Sequence, residues 1–374
     1  MTAAATTAAA ATGAAAAGRA PQLPAEPRRS GGHGSGGHAG QVTLAQALNL
    51  GMRQALESNP KVLVMGEDVG RLGGVFRVTE GLAKDFGDDR VLDTPLGESG
   101  IVGTAIGMAM RGYRPICEIQ FDGFVFPAYD QIVTQLARMR TRTAGRVALP
   151  VVVRIPFGGG IGSVEHHSES PEAMFAHVPG LTVVACSNPV DAHWMLREAV
   201  RGEDPVVFFE PKRLYYQRAP EDLLESTAAA RAAETDRGGY PLRHGAVVRS
   251  GTDVTLAGYG PTVTTCLSAA AAAVEDGVSV EVVDVRCLNP LDAATVIASV
   301  RRTHRLVVVH EAPRSGGIGG EIVARVTEAC FEVLEAPPVR VTGFDVPYPP
   351  ARVEAHHLPD IDRVLDGLDR ALAL

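Results

Sequence analysis

"RVLDTPLGESGIVGTAIGMAMRGYRPICEI", residues 90–119, decides how this chain folds. A short apolar run, "RVLD", stops at a Thr-Pro turn. A stretch of small and apolar residues then reads as a helix, and a second apolar run, "RPICEI", follows the Arg-Gly turn. Strand, helix and strand in that order make a crossover unit, and such units build parallel sheets. One residue sits badly in this reading. Glu98 opens a helix whose glycines, Gly97, Gly100, Gly103 and Gly107, predict close packing of two helices. An unpaired buried carboxylate is costly, so Glu98 is solvated, paired or kept for chemistry.

The pattern repeats on either side. "KVLVM" (61–65), "LPVVVRI" (149–155), "GLTVVA" (180–185) and "PVVFF" (205–209) are near-continuous apolar runs. Strands of that kind belong to a parallel sheet covered on both faces. Thr43 to Gln46, "TLAQ", is a capping box opening a helix with an apolar stripe at Leu44, Leu48, Met52 and Leu56. Further helices are predicted at 127–142 and at 188–201, where Asn188 caps and Pro189 occupies the first turn. A second set follows: "DVTLAGYG", helix 261–275, "VSVEVVDV", helix 291–302, "RLVVVHE", helix 318–333, "PVRVTGF" and a closing helix from Asp360. The fold class is α/β, with two doubly wound domains at 41–225 and 241–374 joined by a polar linker at 226–240. Residues 1–40, rich in alanine and glycine, lack the apolar content to order themselves and read as a disordered tail.

Composition narrows the function. A net charge of −8 over 374 residues argues against nucleic acid, which needs a basic surface. No apolar run reaches the ~18 residues of a membrane span. The five cysteines are scattered with no CxxC pair, which suits buried thiols in a reducing compartment, and the expected location is cytoplasmic. Lysine occurs only at Lys61, Lys84 and Lys212, so Schiff-base chemistry is disfavoured. No P-loop, no GxSxG elbow and no correctly placed GxGxxG is present. His166-His167 and His356-His357 lack partners at zinc-ligand spacing. What remains is a set of strand ends. Glu67, Glu98, "FDGF" (121–124) and the glycine loop 158–162 leading to "EHHSES" all follow strands, where open α/β sheets bind ligands.

"GEDVG" (66–70), "TPLGESGIVGTAIGMAMRGYRPICEIQFDGFVFPAYDQIV" (94–133), "PFGGGIGSVEHHSESPEAMFAHVPGL" (156–181) and "VEVVDVRCLNPLD" (280–292) resemble the beta subunit of thiamine-diphosphate-dependent 2-oxoacid dehydrogenases, of the transketolase-like superfamily. The resemblance runs from residue 41 to the end. "EIQF…FPAYDQIV" and "HHSESPEA" are more similar to branched-chain members than to pyruvate dehydrogenases.

The resemblance implies roles. Glu98 matches the glutamate that shares a proton with the cofactor's pyrimidine ring, and Phe124 the aromatic stacked on that ring, where branched-chain relatives tend to carry tyrosine. Leu96 and Gln120 would line the same pocket. His167 matches a histidine near the reacting carbon, and Glu67 an acid thought to relay protons between two active sites. The family's diphosphate-and-magnesium motif, GDG followed by asparagines, is missing here. An alpha subunit would then hold that end of thiamine diphosphate with its magnesium, in an α2β2 enzyme that passes acyl groups to a lipoyl-bearing acyltransferase. The resemblance also implies a structural potassium ion near Leu149, Val151, Val152, Ala199 and Asp204, although Gly202 replaces a usual aspartate and Val152 a threonine. Alternatives are a pyruvate or acetoin dehydrogenase beta subunit, or a non-catalytic assembly or electron-transfer subunit of the same shape.

Overall fold

The computed structural model describes residues 40–222, 224 and 240–373. The expected tail at 1–40 and linker at 226–240 lie outside these residues, apart from Gly40 and Tyr240.

Seven strands form the first sheet: β2 (Val62–Gly66), β3 (Val91–Asp93), β4 (Arg114–Glu118), β5 (Val152–Phe157), β6 (Thr182–Ala185), β7 (Val206–Pro211) and β12 (Cys287–Asn289). Their order is β12-β6-β7-β5-β4-β2-β3, and every pairing is parallel except β12 with β6. Alternate residues of each strand enter opposite cores. Val64, Ile116, Val152 and Phe208 face one side, while Met65, Cys117, Val153 and Phe209 face the other. That two-sided burial is why the strands read as unbroken apolar runs.

On the first side the helix Leu44–Ser58 packs against the helix Pro189–Arg201. Both begin as the sequence predicts. The Thr43 hydroxyl accepts the Gln46 N–H at 3.2 Å while the Gln46 side chain accepts the Thr43 N–H at 2.9 Å, and Asn188 Oδ1 accepts the Asp191 N–H at 2.9 Å. Gly51 admits the His193 carbonyl, which an added Cβ would meet at 3.0 Å.

The second sheet has order β14-β13-β10-β11-β9, from β9 (Ala246–Arg249), β10 (Val254–Gly258), β11 (Val280–Asp284), β13 (Leu306–Pro313) and β14 (Val339–Gly343), with only β9 antiparallel. The helices Thr262–Ala272, Ala293–Thr303, Ile318–Cys330 and Ile361–Leu372 accompany it. Its core is continuous with that of the first sheet: Tyr259, Val283, Val308 and Ile322 join Ile155 and Phe175 in one cluster. A small hairpin-like pair, β1 (Gln41–Thr43) with β8 (Arg218–Pro220), brackets the first unit.

Three local expectations are corrected. The segment 127–142 is not one helix but a 3₁₀ stretch (Asp122–Ala128), a π-helical stretch (Gln131–Leu136) and a short α-helix (Met139–Arg142). Pro127 removes a donor, the Thr134 hydroxyl donates to the Asp130 carbonyl at 2.7 Å, and the Ala137 N–H skips Val133 to reach Ile132 O at 2.9 Å. Strand β12, from the second sequence set, completes the first sheet. Only part of the glycine face of the helix Glu98–Met110 meets another helical stretch among the described residues: a Cβ on Gly103 would stand 3.9 Å from Gln131 of the π-helical stretch, while one on Gly100 or Gly107 would touch nothing within 4 Å.

One buried ionic group ties three neighbouring strands. Arg154 on β5 donates to Glu210 on β7 through Nε and Nη2 at 2.6 and 2.9 Å, and to Glu118 on β4 at 2.8 Å. Tyr215 adds its hydroxyl to Glu210 at 2.8 Å. The guanidinium is 1% exposed. Glu210→Ala would strand that charge in the core, and loss of one partner of a buried pair costs ~3–5 kcal/mol. Urea unfolding of the full chain should show a loss of that order; a change below about 1 kcal/mol would contradict the assigned role.

Candidate active site

The carboxyl ends of β2, β3, β4, β5 and β7 lie along one edge of the first sheet, because those strands run parallel. Each end supplies side chains to one region. Glu67 follows β2. Its Oε1 accepts the N–H of Gly97 at 3.1 Å, which brings it to the start of the helix carrying Glu98. Burial raises the Glu67 carboxyl above its usual range; the Gly97 N–H opposes this, and the neighbouring Glu98 and Asp68 charges add to it. Glu98 is 8% exposed, and no donor among the described residues bonds its carboxylate. Gln120, after β4, donates weakly to the Glu67 carbonyl at 3.4 Å and to Asp68 at 3.3 Å.

Next along the chain is the turn Phe121-Asp122-Gly123-Phe124, packed against the helix Glu98–Met110. The His167 imidazole stacks on Phe121, centroids 3.9 Å apart and planes at 14°, and meets the edge of Phe124 at 5.1 Å. Its Nδ1 is buried with no hydrogen-bond partner. Gly123 permits this approach, since a Cβ there would stand 2.4 Å from the His166 carbonyl.

The loop carrying His167 leaves β5 through Gly158, Gly160 and Gly162, all at positive φ. The second sheet's elements hold it. Glu311 accepts the Gly159 N–H at 3.0 Å and pairs with Arg213. Glu354 accepts the N–H groups of Gly160 at 3.2 Å and Gly162 at 2.8 Å, with Tyr348 bonded to the same carboxylate at 2.9 Å. Burial pulls Arg213 down to about 10, against the opposing pull of Tyr348 and Glu354.

So Glu67, Glu98 and Gln120 gather at one part of this edge, with Phe124 and His167 beside them on the turn and loop. Leu96 is different: it is 85% exposed, with its side chain uncovered by this chain. The residues expected around potassium lie elsewhere. Leu149, Val151, Val152 and Ala199 are buried apolar positions, and their backbone carbonyls are the kind of ligand the resemblance implies for that ion. The Asp204 carboxylate is taken by Arg140 and by Arg243. No group of three or more His, Cys, Asp or Glu gathers as a metal site among the described residues. Glu311 and Glu354 carry no local signal in the sequence, and Asp122 appears there only within "FDGF". Lys212 carried a signal, being one of three lysines.

Comparison with known proteins places this geometry in a family. Residues 40–217 match the transketolase pyrimidine-binding domain and residues 243–364 the transketolase C-terminal domain. The chain is similar to a pyruvate dehydrogenase E1 component subunit beta of Leifsonia xyli, 56% identical over 89% of this chain and 95% of the relative. It is also similar to a 3-methyl-2-oxobutanoate dehydrogenase subunit beta of Mycobacterium tuberculosis, 52% identical over 88% and 92%. A split-gene transketolase structure, an inactive β4 tetramer, shares the fold with a TM-score of 0.69 and 21% identity over 90% of this chain and 99% of that one. No helix among the described residues is long and apolar enough to cross a membrane. Sheets, strand-end acids and these matches agree: the chain belongs to the family of beta subunits of 2-oxoacid dehydrogenase E1 components.

Proposed function

We propose that this chain is the beta subunit of a branched-chain 2-oxoacid dehydrogenase, working with an alpha subunit to decarboxylate 2-oxoacids of branched amino acids and pass the acyl group to a lipoyl-bearing acyltransferase. The observation that carries the reading is Glu98, 8% exposed, with no donor among the described residues on its carboxylate, next to the Glu67–Gly97 bond and on the helix packed against the turn of Phe124. A carboxylate on a largely buried side chain with no protein donor leaves acceptor capacity that a donating ligand would fill. The orphaned His167 Nδ1 points the same way.

These residues fit thiamine diphosphate. When bound, it supplies an acidic thiazolium carbon and an electron sink for decarboxylation. Glu98 would hold a proton in a hydrogen bond to the pyrimidine nitrogen, strengthened by the low dielectric of its burial. Phe124 would cover a flat face of that ring. The neighbouring Glu67, held by the Gly97 N–H at the start of the same helix, would stand beside that hydrogen bond. His167 would move protons at the acyl carbon, a role for which imidazole is suited near neutral pH. The exposed Leu96 would meet a wall contributed by the alpha subunit, which would also hold the diphosphate and magnesium. A potassium ion, if bound as the resemblance implies, would be held by backbone carbonyls near Leu149 and Asp204, since the Asp204 carboxylate itself is taken by Arg140 and Arg243.

The choice of acyl group rests on the branched-chain-like "EIQFDGFVFPA" and "HHSESPEA" segments and on Phe124 as an apolar wall. The 56% identity to a pyruvate dehydrogenase subunit favours the second reading, pyruvate. Assays with the alpha subunit and a lipoyl domain as acceptor decide between them. Each buried methylene is worth ~0.8 kcal/mol, so the three extra carbons of the leucine-derived 2-oxoacid should raise kcat/KM about sixtyfold over pyruvate. A preference for pyruvate would overturn the branched-chain assignment.

Glu98→Gln should leave the complex assembled and lower kcat by about 10²-fold or more, since the amide cannot share the proton. Turnover within about threefold of wild type at saturating cofactor would remove Glu98 from the mechanism.

A further inference from the structure

Asp122 is wholly buried within the Phe121–Phe124 turn. Its Oδ1 forms an ion pair with the ammonium of Lys212, itself 2% exposed just after β7. Its Oδ2 accepts the N–H of Glu169 at 2.6 Å. The Glu169 carbonyl accepts the Gly158 N–H at 2.9 Å, so the His167 loop is closed at its base. One residue, Glu169, thereby ties that base to the turn that holds Phe121 and Phe124. The same turn supports the loop's tip through the Phe121–His167 stack, with the Lys212 ammonium 5.9 Å from the Phe121 ring centre.

A buried ion pair is a weak source of stability, because desolvating both charges offsets their attraction. Burial raises Asp122 to about 6 and lowers Lys212, each opposed by the partner's charge. An apolar pair of similar shape would hold the core as well, yet it would leave the Glu169 N–H without an acceptor. We infer that Asp122, anchored by Lys212, is a positioning residue for His167: its carboxylate fixes the loop base to the turn so that the imidazole stays stacked on Phe121. The inference rests on the role proposed above for His167.

The test uses the complex assembled with its alpha subunit, checked by gel filtration, with kcat measured at saturating substrate and cofactor. Leucine has the branched shape of aspartate with methyls in place of oxygens. Asp122→Leu with Lys212→Met therefore removes the acceptor without stranding a charge. It should lower kcat about tenfold or more, since small misplacements of a catalytic group are worth up to ~10²-fold. Asp122→Asn with Lys212→Met keeps a side-chain carbonyl for the Glu169 N–H and should recover most of kcat. In a His167→Ala background the leucine pair should cost less than about twofold, because the residue being positioned is gone. If leucine prevents assembly, Asp122→Ala with Lys212→Met carries the same comparison. A leucine pair that keeps kcat, costs the same in both backgrounds, or behaves like the asparagine pair overturns the inference. If His167→Ala alone leaves kcat unchanged, the role of His167 fails and this inference with it. If His167→Ala is damaging while the leucine pair is not, only this inference fails.

Discussion

Arg154 lies between Glu118 and Glu210, and with it β4, β5 and β7 are locked at the end where the site is built. A guanidinium taken out of water tolerates little displacement of its carboxylates, because any lost bond leaves charge uncompensated at low dielectric. The strand ends are therefore held in relative position before any loop is considered. Lys212 follows β7 directly, and through Asp122 it extends the same restraint to the turn after β4 and the loop after β5. Two buried ionic groups thus connect an ordinary parallel sheet to a defined arrangement of Phe124 and His167.

Local chemistry was legible in the sequence and long-range chemistry was not. Capping at Thr43 and Asn188 uses residues three apart, so it can be read from four letters. The apolar runs of β2, β4, β5 and β7 identify themselves because both faces are buried. By contrast, the irregular turns of 122–142 depend on a side chain, Thr134, competing for a helix carbonyl, which the apolar period does not reveal. Strand β12 pairs with β6 from about a hundred residues away. In the site, Glu67, Glu98 and the segments holding Phe124 and His167 follow strands in the sequence, whereas only the family resemblance marks Gln120. Asp122 with Lys212, and Glu354 with the glycine loop, pair across distances that no spacing rule covers.

The glycine-bearing helix after Glu98 shows a different limit. Its spacing predicted a closely packed neighbour, and within this chain the face carrying Gly100 and Gly107 is open. Leu96, one turn earlier, is also uncovered. The buried Nδ1 of His167 meanwhile has no partner among the described residues, and no donor among them bonds the Glu98 carboxylate. Folded chains pair such atoms, so these are the features of a site whose remaining surfaces belong to something else. The absence of a GDG diphosphate motif from the sequence agrees with that division of labour.

The central claim is that this chain supplies the pyrimidine-facing half of a thiamine diphosphate site and that a partner chain supplies the rest. Isothermal titration calorimetry tests it directly, with thiamine diphosphate and magnesium titrated into this chain alone and into the chain assembled with its alpha subunit. The isolated chain should show no micromolar binding, and the assembly should bind at micromolar concentration. Micromolar binding to the isolated chain would contradict the claim.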